Sequence, residues 1–228
     1  EWLYGYREED PLGGYDPYSS SKAAAEIAIA AWRRSFFNNH PVKIASARAG
    51  NVIGGGDWAK HRIVPDCIRA LQKNQSILVR NPDSTRPWQH VLEPLSGYLR
   101  LAACLAQPAT GNRQLASAFN FGPAHESNRT VKELVTEVLK YWPGKWKDKS
   151  DAKAAHEAKL LQLGTDKASA LLGWSPVWNF SSAIEFTMHW YRRAGKKSAP
   201  AMFQKLTTSQ IRKYCAAARK LKIPWAFS

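Results

Sequence analysis

The sequence of 228 residues predicts an α/β protein built around a parallel sheet. Three observations carry this prediction. An alanine-rich segment, 18–39, follows an Asp16-Pro17 entry turn and predicts a helix. A strand signal comes next at 42–47, and a loop rich in asparagine and glycine begins at Asn51. A later alternating segment, 117–122, predicts a last strand, so helices and strands alternate along the chain.

The remaining elements follow from apolar spacing and from turn residues. Apolar spacing predicts further helices at 65–74, 93–106, 130–141 and 181–193. It also predicts one short strand at 77–79. The segment Thr207-Thr-Ser209 predicts the N-cap of a last helix that begins at Gln210. A basic stretch at 145–153 has too weak a pattern for an assignment.

The first predicted helix begins with Tyr18-Ser-Ser-Ser-Lys22, which pairs a phenol with an ammonium group. The i,i+4 spacing puts both groups on one face of the helix. A free tyrosine has a pKa of about 10, and an adjacent cation favours the phenolate, so the pair predicts a base of the oxidoreductase type. The same spacing at Tyr141-Trp-Pro-Gly-Lys145 is an internal control, because its proline and glycine forbid a regular helix.

The rest of the first helix contains many alanines and several large apolar residues, among them Ile27, Ile29 and Trp32. These residues predict that the helix is buried. An ordinary buried tyrosine beside a solvated lysine is therefore the alternative interpretation of the Tyr18 and Lys22 pair.

Three further motifs narrow the family. They are Gly54-Gly-Gly-Asp-Trp58, Arg62-Ile-Val-Pro-Asp66 and Arg86-Pro-Trp-Gln-His-Val-Leu-Glu-Pro-Leu95. With the Tyr/Lys pair, they resemble the extended short-chain dehydrogenases/reductases, and within these the nucleotide-sugar 4,6-dehydratases, most closely the group that acts on CDP-glucose. The resemblance covers the chain from Glu1 to about Tyr191.

The resemblance implies part of a Rossmann-type, doubly wound parallel sheet with a smaller mixed α/β substrate-binding domain. The implied division has three parts: the Rossmann part at 1–50 and 88–122, the substrate-binding domain at 51–87 and 123–195, and a basic helical tail at 196–228. In this family the glycine motif for the cofactor pyrophosphate lies upstream of the position of Glu1, and no G-x-G-x-x-G occurs in the sequence. We therefore expect the sequence to be the C-terminal portion of such an enzyme.

The resemblance also implies an activity, the NAD-dependent dehydration of CDP-glucose to CDP-4-keto-6-deoxyglucose. Tyr18 would take the proton of the hexose 4-hydroxyl, and Lys22 would hold the nicotinamide ribose of NAD and keep Tyr18 ionised. Arg48 is a further candidate for cofactor binding. The candidates for substrate binding are Asn51, Trp58, Arg62, Arg86, Gln89 and His90.

Each substrate candidate has a chemical reason and an alternative. The guanidinium groups of Arg62 and Arg86 match phosphate oxygens in bidentate fashion, although Arg86 could instead form a structural surface pair. Asn51 is expected just after a strand end, where ligands of open α/β sheets bind. Trp58 could serve packing alone, and His90 is assigned no acid–base role.

Charge and composition limit the other classes of function. The formal net charge is +15, and ten Lys and Arg residues lie within 192–222, which contains no Asp or Glu. A solvated basic helix is the preferred interpretation over a nucleic-acid or anionic membrane surface. Three cysteines and the absence of a long apolar run favour a cytoplasmic protein without a membrane span. No metal is expected, because Leu160 stands where the His156-Glu157 motif would need its second histidine.

Three alternatives remain open beside the dehydratase. One is a non-catalytic sugar-nucleotide-binding remnant or one half of a split enzyme. Another is a different nucleotide-sugar epimerase or dehydratase. The third is a nucleic-acid or surface-binding protein that uses the basic tail. For the full-length enzyme, the family implies a homodimer or higher oligomer.

Overall fold

The computed structural model describes residues 4–107, 112–151, 160–194 and 199–227. Its helices are α1 (Pro17–Phe36), α2 (Ile63–Gln72), α3 (Leu92–Ala106), α4 (Val131–Tyr141), α5 (Asp166–Leu172), α6 (Phe180–Arg193) and α7 (Pro200–Lys220). Its strands are β1 (Ser46–Ala49), β2 (Asn51–Ile53), β3 (Ile77–Val79), β4 (Thr85–His90), β5 (Ala118–Phe121), β6 (Asn128–Thr130) and β7 (Trp146–Asp148). Short 3₁₀ turns lie at Asn112–Leu115, His125–Ser127 and Pro224–Phe227.

The strands form three small sheets in which most pairs are parallel. Strand β1 pairs with β5, β2 with β4, and β3 with β7, all in parallel, whereas β6 runs antiparallel to β4. The predicted α/β class with parallel pairing is confirmed.

Strands β1 and β2 are separated by Gly50 alone, where the chain changes its pairing partner from β5 to β4. The Gly50 N–H donates to the Phe121 carbonyl at 3.4 Å. A Cβ at this position would lie 2.9 Å from both Cγ and the carbonyl oxygen of Pro87, so only glycine allows this approach. As a result, Arg48 and Asn51 lie on one length of chain but in different sheets.

Local signals in the sequence account for several helix ends. Asp16 caps α1 by accepting the Ser19 N–H at 2.9 Å. Thr130 and Glu133 form a capping box at the start of α4. Gly173 ends α5 in the left-handed region, with φ of 59°.

Two main apolar clusters form the core. The first lies between α2, α4, α6 and strands β3 and β4, and it includes Ile68, Leu134 and Met188. The second packs α3 and α5 against β5 around Phe121 and Trp174. Strand β4 therefore borders the first cluster and leads directly into a helix of the second.

The prediction that α1 is buried is wrong, because no residue of this helix is buried. Trp32, for example, is 58% exposed. Polar contacts hold the helix: Arg33 Nε donates to the Ile44 carbonyl at 2.9 Å, and Glu26 contacts Ser46 and Arg48. Alanine content favours helix formation but adds little apolar surface for burial.

Other boundaries also differ from the predictions. The strand expected at 42–47 lies at Ser46–Ala49. Side chains engage the backbone before it, because the Ile44 carbonyl accepts from Arg33 Nε and the Val42 N–H donates to His40 Nδ1 at 3.1 Å. Arg86, for which a surface pair was the alternative interpretation, lies in β4 and is buried. Asn51 does lie just after the end of β1, with Gly50 between them, and it also begins β2.

The last helix begins at Pro200 and not at Thr207–Ser209, because proline occupies its first turn and Ala199 provides the extended cap. Its buried face consists of Leu206, Gln210, Tyr214 and Ala218. The Lys and Arg residues of α7 are exposed, as expected for a solvated basic helix, but the opposite side of the helix is docked on the protein. None of the helices in the described ranges combines the length and apolar character that a membrane span requires.

Candidate active site

The predicted Tyr18 and Lys22 pair lies on one face at the start of α1. Lys22 Nζ lies 5.5 Å from the centroid of the Tyr18 ring, and the Tyr18 side chain is 72% exposed. Asp16 fixes this first turn, since its carboxylate accepts from Ser19 Oγ at 2.6 Å and from the Ser19 N–H. These hydrogen bonds lower the pKa of Asp16. The arrangement can hold a cation beside a phenol that is accessible to a ligand.

The second Tyr/Lys match has no such geometry. Tyr141 is the last residue of α4, and the following Trp142 is extended. The Tyr141 carbonyl accepts from Arg192 at 2.8 Å, which ties the helix end to α6. Lys145 therefore lies beyond the helix, as the proline and glycine in this segment predict.

Arg48 lies in β1 and is held by the protein on two sides. Its Nη2 donates to Glu26 Oε2 at 3.0 Å, and its Nη1 donates to the Glu8 carbonyl at 3.2 Å. Partial burial opposes ionisation of Glu26, but hydrogen bonds from Arg48 and Ser46 outweigh it and lower the pKa of Glu26. The guanidinium therefore links β1 to α1 at Glu26, one helical turn after Lys22.

The glycine loop after β2 packs against α6. A Cβ on Gly55 would lie 2.2 Å from the Trp190 ring, and Gly56 has φ of 88°, a region that favours glycine. The Tyr191 hydroxyl donates to the Asp57 carbonyl at 2.5 Å, and the Trp58 ring meets Tyr191 edge to face at 5.2 Å. Gly55 is thus required by the close approach of the Trp190 ring, and Gly56 by its backbone conformation.

The two exposed substrate candidates lie at the end of this loop. Trp58 is partly exposed, and Arg62 Nη1 pairs with Asp57 Oδ2 at 3.0 Å while most of its side chain remains in solvent. Arg62 also provides the residue before the first turn of α2. Both side chains are accessible to a ligand at this surface.

The candidates in β2 and β4 lie deeper in the protein. Asn51 is aligned with Trp88 in the parallel β2–β4 pair. Arg86 is buried and donates to the Thr85 carbonyl at 3.0 Å. Gln89 is completely buried, with Nε2 donating to the Phe121 carbonyl at 2.9 Å, while its Oε1 has no hydrogen-bond partner among the described residues.

His90 is buried beneath the glycine loop. Its Nδ1 accepts the Leu92 N–H at 3.3 Å, so the neutral ring carries its proton on Nε2. Nε2 lies 3.9 Å from the position that a Cβ on Gly54 would occupy. Burial lowers the pKa of His90 to about 4, so the ring is neutral at physiological pH.

Sequence reasoning assigned no role to Glu93, which follows His90 by three residues. Glu93 is completely buried and accepts three hydrogen bonds, from Val177 N–H at 2.9 Å, Trp178 N–H at 2.7 Å and Tyr214 Oη at 2.8 Å. Burial raises its pKa to about 7, although these hydrogen bonds favour the charged form. A carboxyl group in the otherwise apolar segment after His90 was the available signal.

We expect Glu93→Gln to change how the free energy of unfolding depends on pH. The native chain binds an extra proton between the ordinary Glu value and about 7, so this group makes wild-type stability fall as pH rises through that range. His90 acts in the opposite sense, because its lowered pKa costs stability as pH falls from about 6.5 toward 4. As the pH rises from 5 to 8, the free energy of unfolding of the variant should therefore increase by about 2–3 kcal/mol relative to that of wild type.

Urea unfolding of both proteins at a series of pH values measures this difference. Glu126→Gln, a change at an exposed carboxylate, provides the control and should follow the wild-type profile. Parallel profiles for wild type and Glu93→Gln would contradict the prediction.

Within the described ranges, no group of three or more His, Cys, Asp or Glu side chains could hold a metal ion. The His156-Glu157 motif lies outside those ranges.

Comparison with known proteins identifies the family of this chain. The family model for GDP-mannose 4,6 dehydratase matches residues 4–187. The CDP-glucose 4,6-dehydratase of Salmonella typhimurium is 46% identical over 198 residues, which cover 84% of this chain and 54% of the relative. The dTDP-glucose 4,6-dehydratase of Mycolicibacterium smegmatis is 25% identical over 188 residues, covering 82% and 53%. The chain thus spans about half the length of the curated relatives that it matches.

Solved structures show the same fold at lower identity. The dTDP-glucose 4,6-dehydratase of Bacillus anthracis in complex with NAD has a TM-score of 0.69 at 19% identity, covering 84% of this chain and 57% of that one. The Streptomyces venezuelae enzyme with NAD bound has a TM-score of 0.70 at 20% identity, covering 85% and 56%. These likenesses confirm the predicted Rossmann-type fold class. On the family model and the 46% identity, the chain belongs to the GDP-mannose 4,6-dehydratase family.

Proposed function

We propose that this protein catalyses the NAD-dependent dehydration of CDP-glucose to CDP-4-keto-6-deoxyglucose. The observation that carries the proposal is the Tyr18 and Lys22 pair, held on one face of α1 with the phenol exposed and Lys22 Nζ 5.5 Å from its ring. The identity to the Salmonella enzyme supports the substrate, and the NAD-bound neighbours support the cofactor. The activity is proposed for a protein that also contains the remaining half of a full-length relative.

Within this proposal, Tyr18 Oη accepts the proton of the sugar 4-hydroxyl. The Lys22 ammonium lies beside the same ring, 5.5 Å from its centroid, and would bind the ribose hydroxyls of the cofactor. NAD, when bound, supplies the hydride acceptor. The terminal nitrogens of Arg48 are already hydrogen-bonded to Glu26 and to the Glu8 carbonyl. Arg48 would therefore contribute to the cofactor site by holding α1 in place. A ketone at C4 would then acidify C5–H, so that water can leave across C5 and C6. Return of the hydride to C6, with a proton to C5, would give the 4-keto-6-deoxy sugar and leave the cofactor oxidised again.

The substrate side of the proposed site lies along the glycine loop and β4. Trp58 and Arg62 would meet the nucleotide sugar directly, since both are accessible, and the Arg62 guanidinium suits a diphosphate. Asn51 and Arg86 would complete the phosphate contacts, and the fully buried Gln89 and His90 would form the wall beneath them.

We also propose the division into a Rossmann part, a substrate-binding domain and a tail along the boundaries given above. The first apolar cluster supports it, because α2, β3, α4 and α6 come from the two proposed substrate-binding segments. Helix α5 and Trp174, which fall in the second substrate-binding segment, pack on β5 of the proposed Rossmann part. Limited proteolysis tests the boundaries, since cleavage inside the first cluster and not near residues 50, 88 or 122 would oppose them.

A homodimer or higher oligomer is proposed for the full-length protein, supported by exposed apolar side chains of α1 such as Ile27 and Phe36. A mass of one chain by light scattering would oppose it. We propose a cytoplasmic location, supported by Cys67 and Cys215, which form no disulfide among the described residues. Recovery of the protein with the periplasmic fraction of cells would oppose that location.

A turnover assay tests the proposed activity. The chain as given and the chain extended by its genomic upstream sequence are each incubated with NAD and CDP-glucose, with dTDP-glucose as the control substrate. We expect a 4-keto-6-deoxy product from CDP-glucose with the extended form. A C4 epimer as product would favour an epimerase, and binding of CDP without turnover by both forms would favour a sugar-nucleotide-binding remnant.

A further inference from the structure

The C-terminal helix α7 is docked through one stripe of side chains. Leu206, Gln210, Tyr214 and Ala218 follow each other at four-residue spacing and are buried. Two members of this stripe are polar, and each makes a specific contact with a different part of the protein. The Gln210 amide donates to the Phe186 carbonyl at 2.7 Å, whereas Tyr214 reaches the start of α3.

The Tyr214 hydroxyl lies in a polar cluster at the end of β4. It donates to Glu93 Oε2 at 2.8 Å and lies 3.0 Å from Ser96 Oγ. Ser96 in turn accepts from the Trp174 indole at 2.9 Å. Because these groups are shielded from solvent, the loss of one partner leaves a polar atom without water to replace it.

Glu93 also hydrogen-bonds the backbone of residues 177 and 178, which precede α6. Its Oε1 accepts the Trp178 N–H at 2.7 Å, and its Oε2 accepts the Val177 N–H at 2.9 Å. The carboxylate thereby holds the backbone of this segment against the first turn of α3. Tyr214 is the one side chain from the C-terminal helix that hydrogen-bonds this carboxylate among the described residues.

The Trp178 side chain contacts His90, the last residue of β4. Its ring meets His90 edge to face at 4.9 Å and Tyr214 edge to face at 5.1 Å, and it stacks on Phe186 at 4.1 Å. The orientation of the His90 ring therefore depends on where Trp178 is held. Glu93 fixes the backbone of Trp178, and Tyr214 contacts both its ring and Glu93.

We propose that Tyr214 is a positioning residue for the substrate side of the site: through Glu93 and Trp178 it fixes the His90 ring beneath the Gly54–Gly56 loop. This inference rests on the proposed function, in which that loop and β4 receive the nucleotide sugar. The basic C-terminal helix then supports the binding site from a distance and not merely by covering apolar surface.

Two variants separate this role from simple docking of the helix. Tyr214→Phe removes only the hydroxyl. Gln210→Met removes the neighbouring polar contact of the same buried stripe, which is made to the backbone carbonyl of Phe186 and not to Glu93 or Trp178. Calorimetric titration of the full-length protein with CDP-glucose gives the affinity. Ring resonances of ¹⁵N-labelled histidine, assigned through a His90→Gln variant, report on His90 in the chain as given.

Tyr214→Phe should weaken CDP-glucose binding by about 10-fold, the effect of losing one buried hydrogen bond, and should shift the His90 resonances. Gln210→Met should leave both close to wild type. Equal weakening by the two variants, or unchanged His90 resonances in Tyr214→Phe, would overturn the proposal. If wild type binds no CDP-glucose, the proposed function fails, and the His90 resonances alone decide whether Tyr214 positions this ring.

Discussion

Turnover of CDP-glucose by the full-length protein is expected to fall by about 10²–10⁴-fold when Tyr18 is replaced by phenylalanine. The substitution removes the hydroxyl that would accept the substrate proton but keeps the ring beneath Lys22. Because Tyr18 is exposed and its ring is retained, the free energy of unfolding should stay within about 0.5 kcal/mol of wild type. Steady-state kinetics and urea unfolding, measured on the same preparation, separate these two effects.

Tyr141→Phe is the matched control for this experiment. It makes the same chemical change in the second Tyr/Lys match, where the chain leaves the helix directly after the tyrosine. Turnover should remain within about twofold of wild type, since Tyr141 lies at the end of α4 against α6 and not at the proposed site. Full activity in Tyr18→Phe, or an equal loss in both variants, would contradict the assigned role of Tyr18.

Trp174→Ala should lower the free energy of unfolding by about 3–5 kcal/mol. The Trp174 side chain is completely buried in the second apolar cluster, where its ring meets Phe121 edge to face at 5.0 Å. Its indole N–H also donates to Ser96 Oγ at 2.9 Å. Alanine would leave a large cavity and would remove one of the hydrogen bonds of the Ser96 hydroxyl. The loss would be a substantial part of the stability typical of a domain.

Trp32→Ala provides the comparison for the loss of Trp174. The Trp32 ring is more than half exposed on α1, and its described ring contact is with Phe36 at 5.0 Å. Its removal from the chain as given should change the free energy of unfolding by less than about 1 kcal/mol. The midpoints of urea unfolding measure both variants, and similar losses would show that the second cluster does not carry the stability assigned to it.

Elements with local signals were predicted well from the sequence. The helix predicted at 130–141 is α4, since a capping box at Thr130 fixes its start and Pro143 prevents its continuation. The strand at 77–79 agrees with β3, and the helix predicted at 93–106 begins one residue earlier. In each case the residues that decide the boundary lie within a few positions of it.

Elements defined by their partners were missed. Strand β7 lies in the basic stretch without a clear pattern, and it exists through backbone pairing with β3. Strand β6 is likewise three residues long and pairs antiparallel with β4. Such short strands carry too few side chains for a period of two to be visible in the sequence.

The candidate site divides in the same way. The spacing of Tyr18 and Lys22 within one helix is local, so their common face could be predicted. The contact between Glu93 and Tyr214 joins residues 121 positions apart, and no pattern near either residue announces it. The burial of Gln89 and His90 also depends on distant segments, because Phe121 and Trp178 cover them.

The glycine between β1 and β2 sets a limit on any movement within the proposed site. Arg48 and Asn51 are three peptide units apart, so their Cα atoms can never be separated by more than about 11 Å, whatever the two sheets do. The proposed cofactor side and the proposed sugar side of the site are thus joined by a very short length of chain. Opening or closing at this point can change the angle between them but hardly the distance.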